Sequence, residues 1–342
     1  MRQESRFGAV IVNYNCGRLA IDAALSFLGA GGAVAIIVDN ASPDGSADEI
    51  DRVIKGLVPH VPEAPPSPIE RRAPVFADPG VLKAGALRLI RSPKNGGFAF
   101  GCNTGLRALA ATPGVDRFLL LNPDALIARD SLAAFAARLN DDRAGLCGAT
   151  VVGFDTPHKV QCFGGASLDP FFLIGRNIGE GADCSEAPDR QQVEARLSYP
   201  LGAAIAFRRD YLARAGYPDE RYFLYYEEAD WALAGGPPNR PAWAPGAIVY
   251  HRYGAASKSR RADAGQASER SPLADYHMTR SRILFAMKWR PLLAPVAIGA
   301  GLAQSLNRLA RGRRENAAAI LRACLPGKSA PARFEEAPAA AA

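Results

Sequence analysis

The sequence predicts an α/β fold, a mostly parallel central sheet with flanking helices, on two observations. Short apolar runs without alternation, GAVIVN at 8–13, AIIVDN at 35–40 and FLLL at 118–121, read as strands buried on both faces. Between the first two, Arg18 to Leu28 carries apolar residues at helical spacing, and after the second, Ser46 to Ile54 resumes a helical pattern. Strand, helix, strand, helix is the order that a parallel sheet with crossover helices requires.

Taken in order, the first helix is broken by the Gly29 to Gly32 stretch, and the second strand runs into Asp39, Asn40 and the turn ASPDGS. Asp39 therefore sits at the carboxyl edge of the sheet, as a capping or turn residue or as a ligand. Residues 59–80 hold seven prolines and read as an irregular surface excursion. LRLIR is a further short strand, followed by a loop rich in Gly and Asn that opens a helix at about Cys102 to Ala111. Glycines at 96, 97, 101 and 105 let a backbone approach a ligand closely, and a plain turn explains the loop equally well.

The stretch RFLLLNPDALI, 117–127, is the most informative. Pro123 lacks the amide hydrogen a central ladder needs, so the strand stops at Asn122 and leaves the Asp124 carboxylate at the carboxyl edge. Asp124 is there either a turn former or a ligand. Asp130 or Ser131 caps the helix LAAFAARL, LCGATVVGF is another strand, and residues 155–198 read as loops and short strands shaping a second subsite. GAAIAF is a strand and RRDYLARAG a short helix. FLYYEEADW places Glu227, Glu228 and Asp230 behind an aromatic run, a grouping that costs energy unless the carboxylates meet cations or solvent. IVYHRYG ends a strand at His251, a structural histidine or a metal ligand.

Composition narrows the class. Of 342 residues 48% are apolar and 22% charged, an ordinary globular balance with room for one large or two modest domains. Six scattered cysteines lack paired spacing and read as free thiols of a reducing compartment, and no apolar leader precedes the first strand, so a cytoplasmic location is expected. Thirteen Lys or Arg against three Asp or Glu between Arg252 and Arg314 concentrate the basic surplus at the C-terminal end. No RNA-binding or zinc-finger pattern accompanies it, so no nucleic-acid partner is expected. Residues 291–306 are too short to span a bilayer, and suit either a helix at an anionic membrane face or a helix packed on the domain. The tail 326–342 is expected to be disordered.

In that order, VIVNYN, IIVDNASPDGS, RSPKNGGFAFGCNTG, LLLNPDA, YFLYYEEADW and IVYHRYG resemble the family 2 glycosyltransferases, specifically their rhamnosyltransferase-like bacterial branch, over roughly residues 7 to 290. The resemblance implies a GT-A fold with a nucleotide-sugar-binding half at 1–150, the 59–80 insertion within it, an acceptor half at 151–254 and a basic helical region at 255–325. It implies an inverting transferase that uses Mg²⁺ or Mn²⁺ and a nucleotide-diphosphate sugar such as activated rhamnose. The acceptor would be lipid-linked or a cell-surface polysaccharide, reached at the inner face of the plasma membrane. Asp39 matches a base or ribose contact, Asn13, Asn95, Gly97 and Asn103 line the donor side, and Asn122 opens the metal motif that Asp124 closes. Glu228 stands where the family has its base, Glu227 and Asp230 beside it in substrate binding, and His251 near the diphosphate and metal. Three departures set this chain apart: the proline-rich insertion, ALAGGPPNRPAW in place of an arginine-bearing helix and Gly-Trp turn, and Glu for Asp at 228. A non-catalytic sugar-nucleotide or membrane-binding module on the same fold is the alternative reading.

Overall fold

A computed structural model describes residues 6–252, 270–325 and 327. The elements follow as β1 (Phe7–Asn13), α1 (Gly17–Gly29), β2 (Val34–Asp39), α2 (Ser46–Ile54), β3 (Leu87–Arg91), α3 (Phe98–Ala110), β4 (Arg117–Leu121), β5 (Ala125–Ile127), α4 (Ser131–Leu139) and β6 (Ala144–Gly153). Then come β7 (Val160–Phe163), β8 (Gly165–Leu168), β9 (Gly175–Asn177), α5 (Arg190–Arg196), β10 (Tyr199–Pro200), β11 (Ala204–Arg208), α6 (Arg209–Ala215), α7 (Glu227–Gly235) and β12 (Arg240–His251). Three helices close the described chain: α8 (Pro272–Trp289), α9 (Ala294–Ala310) and α10 (Arg314–Cys324). The tail from 328 on, like 253–269, lies outside the described residues.

The main sheet runs β3-β2-β1-β4-β11-β6-β12-β5, with β7 added on β6. The pairings leave β11, β5 and β7 opposed to the other strands, so β1, β2, β4 and β12 all end at one edge. Both faces are covered, as the unbroken apolar runs require. On β1, Phe7, Ala9 and Ile11 face one apolar cluster with α1 and α4, while Val10 and Val12 face another with α3 and Trp231 of α7.

The link from β4 to β5 forces a curl. Four strand spacings of a flat sheet would separate them by about 19 Å. Only residues 122–124 connect them, and four peptide units reach about 14 Å. The sheet therefore bends until its β12–β5 edge returns toward β4.

α3 begins at Phe98, four residues before the expected start, because Gly97 takes φ 90° and turns the chain into the helix. Gly101 and Gly105 serve packing. A Cβ at either would fall 2.6 or 2.4 Å from Val12 or Val10, so they let α3 lie directly on β1.

The excursion at 59–80 is irregular, as expected, but it is tied to the core. His60 Nε2 lies 2.6 Å from Asp22 of α1, and the Glu63 amide donates to the same carboxylate. The Tyr250 hydroxyl accepts from the Ile69 amide and donates to the Arg72 carbonyl. Glu63 ion-pairs with Arg252, whose guanidinium covers the Phe154 ring, so the strap reaches the residue after His251. Among the described residues no helix is long and apolar enough to cross a membrane.

Tyr250→Phe removes both strap bonds while keeping the ring, which is fully buried. It should lower the urea midpoint by an amount equivalent to about 1–3 kcal/mol with an unchanged slope, the cost of an orphaned buried amide. An unchanged midpoint would show that the strap is not anchored there.

Candidate active site

The carboxyl edge gathers most of the residues singled out by sequence. Parallel register sets Asn13 beside Asp39. The Asn13 amide donates to Asp39 Oδ1 (2.7 Å), Ser46 Oγ (3.0 Å) and Ser42 Oγ (3.2 Å). Asp39 Oδ2 accepts from the Ser42 amide. Both side chains are buried, so this cluster first fixes the ends of β1 and β2 and the loop after Asp39. Burial above all pushes the neighbouring Cys16 thiol up to about 12, and Asp124, Asp44 and Asp39 push it the same way. The six cysteines are all free.

Asp124 and His251 meet because β5 pairs with β12 with Ala125 opposite His251. His251 Nε2 lies 3.3 Å from Asp124 Oδ1, and both side chains are nearly enclosed. Gln161 of β7 determines what that contact means. Its Nε2 donates to the His251 carbonyl, which turns its Oε1 toward His251 Nδ1 at 2.9 Å. Nδ1 must therefore carry hydrogen, so in the neutral ring Nε2 presents a lone pair to a carboxylate. Two electron-pair donors facing one point are stable only with a proton or a cation between them. This imidazole and carboxylate suit Mn²⁺ or Mg²⁺, which take their remaining ligands from phosphate oxygens and water. Among the described residues no three His, Cys, Asp or Glu side chains gather as a complete metal cage.

Glu227 and Glu228 open α7 behind two consecutive tyrosines in left-handed conformation, Tyr225 at φ 69° and Tyr226 at φ 70°. Such geometry costs roughly 1–3 kcal/mol per residue and gathers at functional sites. Here it turns both carboxylates inward. Burial first, then the Glu228 charge, hold Glu227 well above the usual carboxylate range, and its Oε2 has no partner. Burial raises Glu228 to about 7. Glu228 is the more open of the two, and its Oε1 lies over Gly202, where a Cβ would stand 2.3 Å away.

Other residues singled out by sequence make contacts within the protein. Asn95 Oδ1 accepts from the Gly97 amide, and the Asn40 amide donates to Asn95 Oδ1 and the Gly97 carbonyl, bracing the donor-side loop. The Asn103 amide donates to the Pro218 carbonyl and Glu220. The Asp230 carboxylate accepts from Tyr222, Lys288 and Trp289, joining α7 to α8. The Asn122 backbone amide donates to the Ala203 carbonyl, so the β4 end is fixed beside Gly202. Gln161 and Gly202 carry no motif and were legible only once β7 and the loop before β11 were placed.

No protein-family model and no curated protein matches the chain. Solved structures do. GalNAc-T7, crystallised with UDP, GalNAc and Mn²⁺, aligns with TM-score 0.53 and 14% identity over 82% of this chain and 48% of its own. This chain thus spans about half the length of that one. S. aureus TarS 1-349 in complex with UDP-GlcNAc aligns with TM-score 0.49 and 13% identity over 96% of this chain and 83% of its own. The likeness to GalNAc-T7 supports the GT-A fold expected from the motifs.

Glu228 makes the site pH-sensitive. The unfolded chain releases this proton near pH 4.3, whereas the folded chain holds it to about 7. The stability associated with the raised value is present below the first and is lost as pH rises through the second. Glu228→Gln should therefore raise the melting temperature more at pH 8 than at pH 5. A gain independent of pH would contradict a buried, proton-holding Glu228.

Proposed function

We propose that this chain is an inverting glycosyltransferase that moves a sugar from a nucleoside diphosphate donor to a hydroxyl of a lipid-linked or cell-surface polysaccharide acceptor. The motifs favour rhamnose as that sugar. The observation that carries the reading is the Asp124–His251 contact, where Gln161 turns the Nε2 lone pair toward a carboxylate at the ligand-binding edge of the sheet. Asp124 and His251 are the residues that would hold the divalent ion. When bound, the ion offsets the negative charge that develops on the departing diphosphate.

The chain's own residues account for the other half of the reaction. The braced ends of β1 and β2, with Asn13 and Asp39, present the loop against which the nucleoside would lie. Glu228 takes the proton of the acceptor hydroxyl as its oxygen bonds to the anomeric carbon, and the bond from that carbon to the diphosphate oxygen breaks on the opposite face. Attack on one face and departure from the other invert the configuration. A base with its pKa raised to about 7 is matched to this task near neutral pH. Burial, and then the Glu228 charge, push Glu227 toward its protonated form, which limits the negative charge beside Glu228.

The test is turnover of purified protein with nucleotide sugars, Mn²⁺ and an acceptor. Glu228→Gln should lower turnover by roughly 10²–10⁴-fold with donor binding retained, because a base acts in the transition state. Gly202→Ala should fold normally, since the atoms a Cβ would meet all belong to the Glu228 side chain and none to backbone. It should still lose up to about 10²-fold in turnover through a displaced Glu228. Metal-dependent donor binding without turnover in the parent protein would identify a non-catalytic binding module instead.

A further inference from the structure

The C-terminal helices carry a feature the transfer reaction does not use. α9 buries Ala297 and Gly301 against its neighbours, yet its opposite face is apolar as well. Pro295, Gly299, Leu302, Leu306 and Leu309 recur at spacings of four and three, forming one stripe along the exposed side. Asn307 is the one polar residue among the exposed positions of this helix. Leu306 is 67% exposed, and Leu292, just before the helix, is 91% exposed. A leucine face turned to water this way marks an interaction surface.

A second apolar element lies beside it. The turn between β8 and β9 exposes Phe171, Phe172 and Ile174, while Leu173 between them is buried in the cluster that holds Ala297, Leu293 and Ile298. The turn therefore sits next to the start of α9. The Tyr226 hydroxyl donates to the Leu173 carbonyl, which links this turn to the residue preceding Glu227.

Charge decides the occupant. From 276 to 314 the chain has eight Lys or Arg and no Asp or Glu. Arg308 and Lys288 are paired with Asp275, Asp219 and Asp230, and Arg282 is buried, whereas Arg290 and Arg311 stand exposed at the two ends of the stripe. A second copy docked face to face would bring this positive charge against itself. An anionic bilayer meets both features, since a helix lying in the interface buries leucines among acyl chains and keeps flanking cations at the headgroups. We propose that the leucine face of α9 and the Phe171–Phe172 turn dock this protein on an anionic lipid bilayer. The docking needs no transfer reaction, but it would hold Tyr226 and the adjacent carboxylates near the surface.

Flotation of the full chain with vesicles of phosphatidylcholine, alone or mixed with phosphatidylglycerol, tests this. Binding should require the anionic lipid and weaken between low salt and about 0.15 M, where screening shortens to about 8 Å. Leu302→Asp and Leu306→Asp, both on the exposed side, should each weaken vesicle binding about tenfold or more while the circular dichroism spectrum stays parental. Leu306→Ser and Phe171→Ser should weaken it less, in the same direction. Equal flotation of parent and variants, or no binding to anionic vesicles at low salt, would overturn the proposal. So would a parent that light scattering shows to be a dimer and that Leu306→Asp makes monomeric, because the face would then join two copies of the chain.

Discussion

The three-residue turn from β4 to β5 is the constraint on which the site depends. Pro123 ends the central strand, and the short connection obliges the sheet to curl until β5 can pair with β12. That pairing, with Ala125 opposite His251, sets a carboxylate from one strand end against an imidazole from another. Gln161 on β7 then fixes which ring nitrogen faces the carboxylate. The same carboxyl edge carries the Asn13–Asp39 brace, so backbone register rather than any single side chain assembles the candidate site.

The glutamates of α7 show the opposite economy. Two left-handed tyrosines and a pair of enclosed carboxylates destabilise the folded chain locally, and the surroundings must hold them. Asp230 supplies part of that hold by binding Tyr222, Lys288 and Trp289, which locks α7 to α8. The C-terminal helices are thus part of the scaffold of the site as well as a surface. A carboxylate raised by burial is a poor contributor to stability above its pKa and a well-matched proton acceptor near it.

Much of this was legible in the sequence. Continuous apolar runs marked β1, β2 and β4 because strands covered on both faces are apolar through their middles and keep polar residues to their ends, and Pro123 marked where β4 had to stop. Asp39, Asp124 and His251 followed as strand-end residues. Distance along the chain hid the rest. Asp230 lies in the same acidic run as Glu228, but its direction depends on Lys288 and Trp289, which lie far along the chain on α8. The Asn103 amide answers to Pro218 and Glu220 across a still longer gap. The proline-rich excursion read as a surface loop because its anchors, Asp22 and Tyr250, belong to distant elements. Charge count identified the basic C-terminal region, whereas only the packing of α9 on one face revealed that its other face is apolar too.

A double-mutant cycle on Asp124 and His251, read by calorimetric titration with a nucleoside diphosphate and Mn²⁺, tests the central claim most directly. If both side chains hold one ion, Asp124→Asn and His251→Gln should each remove most of the Mn²⁺-dependent affinity, and the double variant should lose little more, a coupling on the order of 0.5–3 kcal/mol. Additive losses, or parental binding that is the same with EDTA as with Mn²⁺, would contradict a shared cation site at the β4–β5 turn.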